Sequence, residues 1–131
     1  MQSETTMKKI IAAAIVFALA LLAGCGEKAE PIDIPSDDAV TSIEVITLSG
    51  AKADITEASQ IEIVMDALRA AKPTRTRSVS DQPANVDVYG TVSINTTGEA
   101  TVVYYYDKDG KHFIEQPYRG VYELDKSIDD F

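Results

Sequence analysis

The chain is poor in the residues from which catalytic and metal sites are commonly built. Its 131 residues hold one cysteine, one histidine and no tryptophan. A single cysteine excludes a disulfide within the chain. A structural zinc site wants several converging Cys and His ligands, and Cys25 and His112 stand far apart in sequence. No G-x-S-x-G motif and no second histidine accompany His112, so no nucleophilic triad is written in the sequence. Positive charge is scarce as well. Twelve Lys and Arg face 21 Asp and Glu, a net charge of −9. Phosphate backbones and anionic lipid surfaces repel such a chain, which argues against a nucleic-acid partner. No apolar run reaches the roughly 20 residues needed to span a bilayer as a helix.

What is present first is a short hydrophobic stretch. Lys8 and Lys9 precede an uncharged run of 14 residues, Ile10 to Ala23. That length suits the apolar segment of a secretion signal better than a permanent anchor. Glu4 lies where such a signal should be cationic, which favours Met7 as the translation start. The reading is a signal peptide over residues 1–24.

Leu22, Ala23, Gly24 and Cys25 resemble a bacterial lipobox, an aliphatic residue and two small ones ahead of a cysteine. The resemblance implies cleavage before Cys25 and a diacylglyceryl thioether on its sulfur. The expected cofactor list is therefore empty apart from this covalent lipid. Several acyl chains, at about 0.8 kcal/mol per buried CH₂, hold a protein on a membrane. The expected location is the outer face of the cell membrane, with the lipid rather than the protein surface making the attachment. Residues 25–41 carry two prolines and several acids and read as a flexible linker. Without Lys8, Lys9 and Glu4, the mature chain has 10 basic and 20 acidic side chains, a net charge of −10.

Residues 42–131 read as one α+β domain, a single helix packed on an antiparallel sheet of about four or five strands. SIEVITL from Ser42 is rich in β-branched residues, and Ala51 to Ile55 follows a Ser-Gly turn as a return strand. Ile61, Val64, Met65, Leu68 and Ala71 then recur at helical spacing, with Thr56 as expected N-cap and Pro73 as stop. Residues 74–85 form a polar connection. In it Arg75 and Arg77 could hold an anion, although a solvated loop or pairing with the many acids is the preferred reading. Val86, Val88, Val92 and Ile94 alternate with polar residues as a further strand, with Gly90 on its inward face. Ala100 to Tyr106 and Lys111 to Gln116 complete a meander. Asp107-Lys108-Asp109-Gly110 fails the spacing of a calcium loop and serves as a hairpin turn. After Pro117, the residues Tyr118, Val121, Tyr122 and Leu124 are expected to fold back as a lid on the core.

Asp81-Gln82-Pro83, Tyr104-Tyr105-Tyr106 and the run IEQPYRGVY from Ile114 resemble a family of small Firmicute lipoproteins whose exported domain has no assigned function. Glu115, Pro117, Tyr118, Gly120 and Tyr122 carry the resemblance. It implies an α+β fold and an envelope location and transfers no catalytic residue. The resulting expectation is a non-enzymatic, lipid-anchored domain that binds a protein, peptide or cell-wall component. Tyr104, Tyr106, Tyr118, Arg119 and Tyr122 are the candidate contacts. The alternatives are an envelope signalling accessory, or a hydrolase pairing His112 with a carboxylate.

Overall fold

The computed structural model describes residues 27–131. The signal peptide, the choice of Met7 as start and Cys25 lie outside the described residues. Among the described residues, no helix is long and apolar enough to cross a membrane.

Seven strands build one sheet: β1 (Val40–Ile46), β2 (Lys52–Ile55), β3 (Lys72–Pro73), β4 (Gly90–Thr96), β5 (Glu99–Lys108), β6 (Lys111–Gln116) and β7 (Gly120–Leu124). Their order is β2-β1-β4-β5-β6-β7-β3, and every pairing is antiparallel. One helix, α1 (Ala58–Ala70), covers one face. The domain is α+β with sheet predominant.

The register explains the core. Val45 pairs with Val92, and Val92 with Val103. Tyr105 pairs with Ile114, and Ile114 with Tyr122. These rows run across the helix-facing side, because alternate side chains share a face. All six residues are buried. Ile61, Val64, Met65 and Leu68 of α1 close over them. The helix begins one residue later than expected. Glu57, not Thr56, occupies the N-cap position, and its side chain makes no capping bond. Gly90 is required where Tyr105 crosses β4, since a Cβ there would lie 2.3 Å from the tyrosine ring.

Three differences from the sequence reading have physical causes. First, there are seven strands rather than four or five. β3 is a two-residue edge strand holding Pro73, which an edge tolerates. The expected lid is β7, and Val121 and Tyr122 are both buried because both faces of this strand are covered. Double coverage erases the polar alternation that marks a strand. Second, β4 starts at Gly90; Val86 is half-buried and Val88 is 58% exposed, so neither joins the inward face.

Third, the part of the expected flexible linker from Ala29 onward lies docked along the domain. Ala29, Ile32 and Ile34 pack against the core. The Asp33 amide donates to Gln116 Oε1 at 2.8 Å, and Gln116 Nε2 donates to the Asp33 carbonyl at 2.7 Å. The Tyr122 hydroxyl donates to the Glu30 carbonyl. Gly120 leaves room for Ala29, whose methyl would sit 2.3 Å from a Cβ at that position. One 3₁₀ turn, Asp37–Ala39, then leads into β1, with Arg69 of α1 2.6 Å from Asp37. Prolines and acids disfavour regular structure in this strap, yet side chains of the sheet supply its hydrogen-bond partners.

Candidate functional site

An open cleft of about 850 Å³ lies where the strap enters the domain. Three segments form its walls: residues 27–30, the start of the loop after β3, and the β6–β7 turn. Each brings cations. Lys28, Arg75, Arg77 and Arg119 line it, together with Glu27, Glu30 and Tyr118. Ten Lys and Arg occur in residues 27–131, so four of them gather here. Lys52, Arg69, Lys72 and Lys111 elsewhere are tied to acids. Lys28, Arg75 and Arg77 are exposed and make no ion pair among the described residues. Arg119 is held in place, its Nε donating to the Pro31 carbonyl at 2.7 Å and its Nη2 lying 3.5 Å from Glu30.

Behind Ser78 of the cleft wall lies a polar network. Ser78 Oγ donates to buried Glu115 at 2.8 Å, and the Tyr106 hydroxyl donates to the other Glu115 oxygen at 3.2 Å. The Tyr118 amide donates back to Ser78 Oγ at 3.3 Å. Burial pushes the Tyr106 hydroxyl well above its ordinary pKa, and the Glu115 carboxylate beside it adds to the effect. These bonds pin the loop carrying Arg75 and Arg77 to the sheet.

Tyr118 stands 67% exposed at the rim with φ of 59°. The Arg119 amide bonds the Gln116 carbonyl, so Pro117 and Tyr118 are the central residues of a β-turn. A left-handed third position ordinarily takes Gly or Asn, and a bulky aromatic there is strained. Such strain concentrates at functional positions. The Asp81 carboxylate beside the Tyr118 hydroxyl raises its pKa.

A family model described as "Domain of unknown function (DUF5300)", under the name DUF5301, matches residues 28–123. The chain belongs to the DUF5301 family. The DUF5301 domain is also similar to a solved chain, the NMR structure of a protein from Ruminococcus gnavus. The two are 28% identical with a TM-score of 0.67, over 76% of this chain and 96% of the other. No curated protein matches. The buried apolar cluster of the DUF5301 domain lies between Ile43 and Ile128. The match takes in 96% of the Ruminococcus gnavus chain, and residues 27–131 close an apolar core of their own.

The five candidate contact residues do not form one surface in the DUF5301 domain. Tyr122 is fully buried on the helix-facing side. Tyr106 is buried on the opposite side over Glu115. Tyr104 is half-buried on that side, with Tyr89 packed edge-on at 5.4 Å. Only Tyr118 and Arg119 reach the cleft. Tyr104, Tyr106 and Tyr122 therefore serve core and loop packing. The sequence does not single out Lys28, and it offers Arg75 and Arg77 as an anion site only behind a solvated or acid-paired loop. Their alternation with hydroxyl residues was the available signal. Convergence with Arg119, many positions away, was not readable. His112 lies near the solvent end of the β5–β6 hairpin, with Nδ1 2.6 Å from Asp107 Oδ1. Among the described residues no hydroxyl hydrogen-bonds its ring, and His, Cys, Asp and Glu form no metal-holding cluster.

Proposed function

We propose that this DUF5301 protein is a non-enzymatic, lipid-anchored module at the outer face of the cell membrane. It holds an anionic group of an envelope protein, peptide or cell-wall component in the basic cleft. The observation carrying this reading is the gathering of Lys28, Arg75, Arg77 and Arg119 in a domain otherwise dominated by acids. Guanidinium groups suit carboxylate and phosphate because their forked N–H donors match two oxygens at once. The lipobox-like residues ahead of Cys25 support the anchor. The hydrolase alternative has an acid–base pair in His112 and Asp107 but no hydroxyl nucleophile bonded to it.

Two measurements test the reading separately. Cys25→Ser in the full chain should move the protein out of the membrane fraction after a high-salt wash, which strips electrostatic contacts. Crosslinking in intact cells, with Arg75→Gln/Arg77→Gln as comparison, should lose the captured partners while the domain stays folded. Retention of the Cys25 variant on salt-washed membranes would overturn the anchor, and an unchanged partner list would overturn an envelope protein, peptide or cell-wall component as the cleft's ligand.

A further inference from the structure

We infer that the cleft takes phosphate groups, and that their source is the headgroup layer of an anionic membrane. This rests on the lipid-anchor reading and, for the same cleft, takes a membrane phosphate in place of the protein, peptide or cell-wall anion. Three observations carry it.

The first is position. Glu27 and Lys28 line the cleft, and the strap is docked from Ala29 onward. Two peptide links separate Cys25 from Glu27, so their Cα atoms are at most about 8 Å apart. Acyl chains on Cys25 therefore bring the cleft to the headgroups, with no long leash between them.

The second is the chemistry of the rim. Val79 is 71% exposed and Tyr118 67% exposed beside Arg75, Arg77 and Lys28. An apolar side chain and an interfacial aromatic among cations match a headgroup boundary better than a soluble anion. The acids at this end are Glu27, Glu30, Asp33, Asp81 and buried Glu115; Arg119 already pairs with Glu30, and Ser78 and Tyr106 satisfy Glu115.

The third is where three of the other acids lie. Asp107, Asp109 and Asp125 cluster near the opposite end of β6 and β7. β6 places about 17 Å between those ends, at about 3.4 Å per residue. That is about twice the Debye length at physiological salt, so their repulsion at the membrane is screened. Net charge alone predicts repulsion, and Lys28, Arg75 and Arg77, which make no ion pair among the described residues, oppose it at this end.

The test uses the 27–131 fragment, which lacks Cys25, so its outcome is independent of the anchor. Partition onto phosphatidylglycerol vesicles should exceed partition onto phosphatidylcholine vesicles and fall with added salt. Lys28→Gln/Arg75→Gln/Arg77→Gln should weaken it about 100-fold, at about fivefold per basic residue near an anionic surface. Lys108→Gln/Lys111→Gln/Lys126→Gln at the far end should change it little. Circular dichroism of each variant checks the fold. Equal partition onto both lipids, or full retention by the cleft variant, overturns the inference. Binding of inorganic phosphate or a polyglutamate peptide with no affinity for vesicles overturns the membrane as source and leaves a soluble anion as ligand.

Discussion

The two faces of the sheet are covered by different means. One face is sealed by α1 and the strap, with apolar side chains meeting apolar side chains. The other is covered by the irregular loop between β3 and β4, which is held through Ser78, Glu115 and Tyr106. Apolar burial is non-directional and tolerates repacking. A buried carboxylate satisfied by two hydroxyls fixes one geometry. The dry face supplies stability, and the wet face sets the position of Arg75 and Arg77.

That contrast can be broken from either side. The largest effect should come from the dry face. Leu68→Ala is expected to cost about 2–5 kcal/mol in chemical denaturation, the range for emptying a buried leucine site. Glu115→Ala on the wet face should cost less, about 1–3 kcal/mol, because it strands the Ser78 and Tyr106 hydroxyls. It should also speed exchange of the Tyr118 amide, which Leu68→Ala should do only through global unfolding.

Alkaline pH separates the faces further. Tyr105 and Tyr106 have pKa values raised above 10.0, chiefly by burial. The folded state thus keeps protons that the unfolded chain releases near that pH. Their contribution is complete below about pH 10 and is lost as pH rises beyond it. Urea midpoints should fall across this range, and Tyr106→Phe should shallow the fall. The smallest effect on stability is expected at Tyr118. Glycine there relieves the left-handed strain, so Tyr118→Gly should leave the denaturation midpoint within about 1 kcal/mol of the parent. Vesicle partition of the same variant should nevertheless drop. A large loss of stability would show that Tyr118 is structural.

Much of the frame was legible in the sequence because it is local. Ile61, Val64, Met65 and Leu68 announce a helix by spacing alone, and the β5–β6 hairpin declares itself through Asp109-Gly110. What escaped depends on distant partners. Val121 and Tyr122 look like no strand because a loop some 40 residues earlier covers their second face. Glu30 and Asp33 look like spacer until Tyr122 and Gln116 are placed to bond their backbone. The site followed the same rule. Tyr118 and Arg119 stood out in the sequence, whereas Lys28 and the arginine loop acquire meaning only from neighbours brought by the fold. Tyr106 and Tyr122 stood out for the same aromatic character and are buried, while Tyr104 is half-buried against Tyr89.

The bond from Tyr122 to Glu30 joins residues 92 positions apart. A chain threaded N-terminus first through a narrow passage therefore cannot complete this contact until most of its length has emerged. The strap would be among the first parts to leave such a passage and among the last to find its seat. Until Gln116 and Tyr122 are in place, it lacks the partners that hold it.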